Sequence, residues 1–240
     1  MKIQTAITTI KNNEEFIHGQ PLQTLIKEKS FVETIYLLLS GRFPSKEHAQ
    51  MLNALLVAAI DHGPGTASAQ VSRIVASAKS SLHVSVAAGI LAMGERHGSA
   101  IEGAAQFFAE HKNNTDVLAL VKTLKEQKVR VPGFGHPFLV EDKRGLALFA
   151  MAKELNIFDT HCAFATNFHI SLNEQSSKPL PLNIDGAMAA ILLDMGFSVG
   201  IMKGFFLIAR VPGLVAQSYE EMMHDVGIRR LDEGEIEYQD

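Results

Sequence analysis

Hydrophobic and polar positions along the chain alternate mostly at helical spacing. Within residues 115–127, one helix face collects the apolar side chains Val117, Leu118, Leu120, Val121 and Leu124. Residues 30–33 read Ser-Phe-Val-Glu, a capping box that opens an apolar run over residues 32–39, and Gly41 is placed to stop that run. Alternation at a period of two is nearly absent, and residues 129–131 are the only brief strand candidate. The pattern predicts a mostly α fold.

Other helices are expected where runs of apolar or small residues lie between glycine, proline or polar breaks. These runs cover residues 46–60, 71–78, 84–93 and 145–155, and a last short helix is expected to begin at residue 219. The small residues of 71–78 and 84–93 allow two helices to approach closely.

Two polar segments, residues 111–114 and 173–181, separate helices and suggest a smaller lobe inserted into a larger one. We expect a large helical domain of residues 1–105 and 186–240, and a small helical domain of residues 106–185.

The longest apolar stretch, residues 184–209, is long enough to cross a bilayer. It also contains Asp185, Asp194 and Lys203, and charges are costly at that depth. We therefore expect two core helices joined near residues 196–200, with no membrane contact. The first residues lack the apolar segment of a signal peptide, so a soluble cytoplasmic protein is predicted.

Composition and charge narrow the function classes. The chain has 240 residues and a net charge of −4, without the basic excess that is typical of nucleic-acid binding. Cys162 is the only cysteine, so a disulfide framework and multi-cysteine metal sites are excluded; a small core or surface thiol is expected. The ten histidines include no pair at helical i, i+3 or i, i+4 spacing, and no metal site is predicted. The Walker A, GxGxxG and GxSxG motifs are absent as well.

Three histidines lie in glycine-rich or proline-rich breaks. They are His62 in DHGP, His97 after Arg96 and before Gly98, and His136 in GFGHP. Glycine lets the backbone approach a ligand closely, so a histidine there is well placed to meet a substrate. The alternative is a capping or core histidine.

Two charged residues border apolar runs. Asp185, in LNIDG, is either an ordinary helix N-cap or a partly desolvated general acid or base. Arg210 is either a structural partner of a core carboxylate such as Asp194 or a clamp on a substrate carboxylate.

Four further cations each have two possible roles. Arg229 and Arg230 are a solvated pair or a second carboxylate clamp, while Lys143 and Arg144 are surface charges or phosphate contacts.

Taken together, these motifs resemble the citrate synthase superfamily over most of the chain. The resemblance follows the order of the segments, which lie at residues 16–19, 30–41, 61–64, 94–98, 131–137, 183–186, 208–210 and from 219 onward. The forms DHGP and LNIDG are most similar to citryl-CoA lyases, both free-standing and within ATP-citrate lyase.

The resemblance implies a two-lobed helical homodimer that acts on a coenzyme A thioester, with no tightly bound cofactor. His136 would exchange a proton with the carbonyl or hydroxyl group of the keto acid unit, and Asp185 with the methyl carbon of acetyl-CoA. His97 would hydrogen-bond the thioester oxygen of the enol. His62 and Arg210 would hold substrate carboxylates.

Cations near the substrate are also implied. Arg229 or Arg230 would reach the neighbouring subunit's site, and Lys143 and Arg144 would contact coenzyme A. Pro137 replaces an arginine that citrate synthases often carry after this histidine, so one carboxylate contact is lost or moved.

Two reactions share such a site. One is retro-Claisen cleavage of citryl-CoA to acetyl-CoA and oxaloacetate; the other is citrate synthase-type condensation of an acyl-CoA with oxaloacetate or another 2-oxo acid. A non-catalytic metabolite-binding subunit is the third interpretation, and it is disfavoured because His97, His136 and Asp185 are all present.

Overall fold

A computed structural model describes residues 1–95, 97–98, 100–136 and 140–239. Within them the chain forms two compact units, one of residues 1–55 and 102–202, and the other of residues 56–101 and 203–240. These boundaries differ from those expected at residues 105 and 185, and the division into a large and a small domain stays a prediction.

Helices dominate the described residues, as predicted. The α-helices are α1 Leu22–Glu28, α2 Phe31–Ser40, α3 Lys46–Ala58, α4 Ala67–Ser77, α5 Leu82–Leu91, α6 Ala100–His111, α7 Val117–Glu126, α8 Lys143–Glu154, α9 Thr160–Glu174, α10 Ile184–Asp194 and α11 Met202–His224. Short 3₁₀ turns cover Val199–Ile201 and Glu233–Glu235.

A small antiparallel sheet at the N-terminus was not predicted. Strands β1 Thr8–Lys11, β2 Glu14–Ile17 and β3 Gln20–Pro21 pair in chain order. Asn12 and Asn13 link the first two strands with φ of 52° and 63°, the left-handed region that asparagine tolerates in tight hairpins. The prediction of a mostly α fold is confirmed, but no pattern in the sequence indicated this sheet, and residues 129–131, the predicted strand candidate, form no strand.

Helix α2 begins and ends where the sequence predicts. The Ser30 hydroxyl accepts from the backbone N–H of Glu33, and the Glu33 carboxylate accepts from the backbone N–H of Ser30. Gly41 then ends the helix with φ of 75°, which glycine adopts without strain.

The core of the first unit surrounds α10, which is buried from Ile184 through Leu192 except at Asp185. Helices α8 and α9 pack against it. An aromatic cluster of Phe107, Phe108, Phe134, Phe164 and Phe168 lies beside it, with ring centroids 5.0 to 6.2 Å apart. Phe134 is thus anchored between Phe108 and Phe168.

The apolar stretch divides into two helices, as expected, at residues 195–201 between α10 and α11. Residues 199–224 are nevertheless long and apolar enough to cross a membrane by length and composition, with a mean hydropathy of 1.6 in the most apolar window. Core helices of water-soluble proteins pass the same test, so this helix alone is weak evidence for a membrane span.

Helix α11 runs through Pro212 and on to His224. The prediction of a separate helix starting at residue 219 is therefore wrong. Proline removes one backbone donor and normally favours a break. Here Gly213 packs directly on the loop before α4: a Cβ on it would lie only 2.2 Å from the Ile60 carbonyl oxygen. The helix therefore continues across the proline at the point where it packs most closely on this loop.

Helices α4 and α5 pair closely in the second unit, as their small residues predict. A Cβ on Gly89 would lie 2.8 Å from the backbone oxygen of Ser68. The close approach therefore depends on glycine at this position.

Candidate active site

His136 and Asp185 are carried by two segments that pair in the first unit. The backbone N–H of Asn183 donates to the Gly133 carbonyl at 3.0 Å, and that of Gly135 donates to the Pro181 carbonyl at 2.7 Å. The Asn183 side-chain amide also donates to the Gly135 carbonyl at 2.9 Å. These bonds fix the loop before His136 against the segment before Asp185.

Asp185 is not the N-cap of α10. Asn183 has that position, since its side chain accepts from the backbone N–H of Gly186 at 3.1 Å. Asp185 lies in the first helical turn, partly buried, with Oδ1 fully shielded from solvent. The ordinary N-cap alternative is therefore wrong, while the acid–base role stays a prediction.

The two segments also touch at a pair of glycines. A Cβ on Gly186 would lie 2.5 Å from the Gly133 carbonyl oxygen, closer than real Cβ atoms come. Gly133 has φ of 90°, so any side chain there would be strained as well. Both glycines are required for the approach of these backbones.

Asp142, which sequence reasoning missed, connects α8 with α10. It is 2 % exposed; Oδ1 accepts from the Arg144 N–H groups, and Oδ2 accepts from the backbone N–H of Ile184 at 3.0 Å. Burial raises the pKa of Asp142, but the bonds and charge of Arg144 outweigh it and hold the pKa below its ordinary value. Its one trace in the sequence is a carboxylate placed directly before the Lys143-Arg144 pair.

The predicted coenzyme A contacts differ in exposure. Arg144 is partly buried and bound to Asp142, whereas Lys143 is exposed on the first turn of α8. Their role toward a phosphate stays a prediction.

A cleft of about 580 Å³ opens beside His136 in the first unit. Phe134, Gly135 and His136 are among its lining residues, as are the cations Lys125 and Arg130. Sequence reasoning did not select these two cations, because charged residues at the end of a helix are ordinarily solvated.

His97 lies in the second unit and is held by Ser68. The distance from His97 Nε2 to the Ser68 hydroxyl is 2.8 Å, and Ser68 is completely buried. Burial lowers the pKa of His97, and the positive charges of Arg210 and His62 lower it further. His62 and Arg210 thus lie close enough to His97 for their charges to favour the neutral form of its ring.

Arg210 is buried, with 3 % exposure. Its Nε donates to the Ala59 carbonyl at 3.0 Å, and its guanidinium carbon lies 5.0 Å from the centre of the Phe206 ring. Asp194, considered as its structural partner, instead accepts from the backbone N–H groups of Asp159, His161 and Cys162 at the start of α9.

His62 is exposed on the loop between α3 and α4. Asp61 Oδ2 accepts from the backbone N–H of Gly63 at 3.0 Å, which closes a turn around His62. The loop therefore presents the imidazole to solvent from a hydrogen-bonded backbone.

Arg229 and Arg230 lie in the segment after α11. Arg229 forms a bidentate ion pair with buried Glu221, at 2.5 and 2.9 Å. Both arginines line a cavity of about 580 Å³ together with Arg73 and Pro64. Arg229 is therefore not a merely solvated charge, and a reach toward a neighbouring subunit stays a prediction.

Pro137, predicted to stand in place of a carboxylate-binding arginine, lies outside the described residues.

Known proteins resemble this chain in sequence and in fold. The family model described as citrate synthase, C-terminal domain, matches residues 44–231. The chain belongs to the citrate synthase family. The predicted family membership is thereby confirmed.

Several relatives share this fold. Citryl-CoA lyase from Hydrogenobacter thermophilus is 41 % identical, with a TM-score of 0.94 over 99 % of this chain and 94 % of that one. ATP citrate lyase from Methanothrix soehngenii, solved with citrate and coenzyme A, is 22 % identical with a TM-score of 0.87, over 100 % of this chain and 42 % of that one.

Among curated relatives, ATP-citrate synthase beta chain protein 1 from Oryza sativa subsp. japonica is 27 % identical over 91 % of this chain. The chain spans 39 % of that relative's length. The match to the citrate synthase family thus corresponds to one part of a longer protein there.

We expect the free energy of unfolding to fall as the pH drops below 6.5. Burial lowers the pKa values of His48, His97 and His169 from 6.5, so between the folded and unfolded pKa values the unfolded chain binds more protons. The contribution of these histidines to the free energy of unfolding is complete above pH 6.5. It is lost on acidification toward their folded pKa values. Urea titrations from pH 7.5 to pH 5 measure it.

The His97→Gln variant is the internal comparison, because it should show a shallower loss than the wild type over the same pH range. Carboxylates whose pKa is lowered lose their contribution to stability only below their ordinary pKa values of 3.8 to 4.5. Those values lie outside the pH range of this titration. A wild-type midpoint that stays constant or rises on acidification would contradict the prediction.

Proposed function

We propose that the protein is a citryl-CoA lyase, which cleaves citryl-CoA to acetyl-CoA and oxaloacetate. The observation that carries this proposal is the 41 % identity to citryl-CoA lyase from Hydrogenobacter thermophilus, with nearly complete coverage of both chains. The presence of His97, His136 and Asp185 in three ordered segments supports an enzyme rather than a binding subunit.

The proposed reaction is a retro-Claisen cleavage. His136 accepts the proton of the citryl hydroxyl group while that oxygen becomes the keto oxygen of oxaloacetate. The carbon–carbon bond breaks, and its electron pair passes into the thioester as an enolate. Asp185, in its protonated form, then donates a proton to the methylene carbon and yields acetyl-CoA.

His97 would stabilise the enolate oxygen. A neutral imidazole is a suitable donor, and the lowered pKa of His97 favours the neutral ring. Because the Ser68 hydroxyl contacts Nε2, we assign the contact with the thioester oxygen to Nδ1. Ser68 would thereby orient the ring.

Positive groups would hold the substrate carboxylates. We assign this role to Arg210 and His62 in the second unit, whose charges already influence His97. Arg229 or Arg230 would add a contact in the neighbouring subunit. For coenzyme A, Lys143 and Arg144 remain the proposed contacts, and Lys125 and Arg130 beside His136 offer two more cations.

We expect Arg210→Ala to raise KM and to lower kcat/KM. The fall should correspond to about 2 kcal/mol or more of lost transition-state stabilisation, because a charge-assisted pair is lost from a desolvated site. The same change removes the Nε bond to Ala59, so the melting temperature is measured alongside. Arg210→Lys keeps the charge but lacks the fork that binds a carboxylate through two N–H groups. Wild-type kinetics for Arg210→Ala on every carboxylate substrate would make Arg210 purely structural.

The direct test of the proposed function uses two incubations of purified protein. One contains citryl-CoA, and the other contains acetyl-CoA with oxaloacetate; oxaloacetate and free thiol are followed in both. Oxaloacetate formation in the first supports the lyase. Thiol release only in the second supports citrate synthase-type condensation, and no turnover in either supports a binding subunit.

We further propose a cytoplasmic homodimer. Ile74, Val84 and Leu91 on α4 and α5 are large apolar side chains with 46, 43 and 84 % exposure, which is typical of surfaces that bind a protein partner. Light scattering at micromolar concentration should give twice the mass of the chain. A monomer with intact activity would contradict the dimer.

A further inference from the structure

One face of α11 holds the loop that carries His62. Arg210, Gly213 and Gln217 are spaced three and four residues apart, so they share that face. Arg210 Nε binds the Ala59 carbonyl, Gly213 packs against the Ile60 carbonyl, and Gln217 Nε2 donates to Asp61 Oδ2 at 3.1 Å. Three successive loop residues are therefore each held by one residue of the helix.

The orientation of the Gln217 amide is fixed by its two neighbours. Arg73 donates from Nη1 to Gln217 Oε1 at 2.7 Å, and a guanidinium has only donors. The amide oxygen must therefore face Arg73, which leaves the amide NH₂ to face the carboxylate of Asp61. A flipped amide would place two acceptors together at Asp61 and two donors together at Arg73.

Arg73 is itself held by two carboxylates. Its Nη1 contacts a Glu220 carboxylate oxygen at 2.6 Å, and its Nη2 contacts one of Glu221 at 2.8 Å. Glu221 is 1 % exposed and also binds Arg229, whose backbone N–H donates to the Ser77 hydroxyl. The segment after α11 thus continues the same hydrogen-bonded network.

Asp61 depends on its Oδ2 contacts. Oδ1 is buried and has no hydrogen-bond partner among the described residues, while Oδ2 accepts from Gln217 and from the backbone N–H of Gly63. The bond to Gly63 spans His62. A change at Gln217 therefore alters the restraint on the turn that presents the imidazole.

We propose that Gln217 is a positioning residue for His62. It holds the Asp61 carboxylate so that the turn over residues 61–63 presents His62 to a substrate carboxylate. This assignment rests on the proposed function for its kinetic consequence, but the hydrogen bonding of the loop is independent of it.

The test combines kinetics with hydrogen exchange on full-length Gln217→Leu, which has a similar size but no amide. With citryl-CoA, KM should rise about tenfold, a typical scale for a hydrogen bond to a charged group. The value of kcat should stay near that of the wild type, because His62 binds substrate rather than moving a proton. Amide exchange of residues 61–63 and 65 should become faster.

Two variants serve as controls. Gln106→Leu makes the same change on α6, where Gln106 is exposed and binds Glu110, and it should leave KM and loop exchange unchanged. Gln217→Glu keeps an acceptor for Arg73 but sets a carboxylate against Asp61, so it should also accelerate amide exchange in the loop. This variant keeps the test decisive if Gln217→Leu does not fold. With Asp61→Asn in the background, Gln217→Leu should add little further effect, since coupled residues are not additive.

The outcomes separate the two proposals. Loop exchange at the wild-type rate in both Gln217 variants would overturn the positioning role, whatever the activity. So would an equal fall in kcat and kcat/KM without a rise in KM. If wild-type protein does not cleave citryl-CoA, the proposed function fails, and the exchange rates still decide whether Gln217 holds the loop.

Discussion

Asp185→Asn should lower kcat for citryl-CoA cleavage by about 10²-fold or more, the scale typical of removing a general acid or base. Asparagine preserves the shape of the side chain but cannot deliver a proton to carbon. Since Asn183 rather than Asp185 caps α10, the change leaves the helix start intact. Steady-state kinetics and a melting curve measure the two effects separately.

The matched control for this change is Asp116→Asn at the start of α7. Asp116 caps that helix by accepting from the backbone N–H of Ala119, and asparagine caps equally well. This variant should keep full activity and stability. Full turnover by Asp185→Asn on citryl-CoA, and also on acetyl-CoA with oxaloacetate, would show that the acid–base assignment is wrong.

His136→Ala should also lower kcat by about 10²-fold or more, because no other group is assigned to take the hydroxyl proton. The loop before it is held by backbone bonds from Gly135 and Asn183, which the change does not touch. The fold should therefore survive. A melting temperature near that of the wild type, together with the lost activity, is the expected pair of results.

His224→Ala provides the comparison, since His224 is exposed at the end of α11 and has no proposed role. It should behave like the wild type. If His136→Ala retained wild-type kcat, the base in the proposed cleavage would have to be another group, and the roles carried over from the resemblance would need to be reassigned.

Local signals in the sequence predicted much of the helical framework. The capping box at Ser30 and the stop at Gly41 are short-range patterns, and the structure has both. The N-terminal hairpin was missed because its strands have only four residues each and its turn is Asn-Asn rather than Asn-Gly. The continuation of α11 past Pro212 was missed because tertiary packing at Gly213 is invisible in local propensity.

The site shows the same limit. His62, His97 and Arg210 stood out because they lie in or beside glycine and proline breaks, and the structure brings them near one another. Ser68 and Asp142 did not stand out, because their importance lies in partners 29 and 42 residues away in sequence. Residues that orient other residues leave little trace in a single sequence.

The contact between Gly133 and Gly186 has a consequence for attempts to change what the enzyme accepts. Neither position has room for a methyl group, so the loop before His136 and the first turn with Asp185 cannot be shifted past each other by substitution there. A mutant library aimed at a longer acyl chain should leave both glycines fixed. It should place its diversity instead at cleft-lining positions such as Leu124 and Leu172, which lie outside the two segments that meet at these glycines.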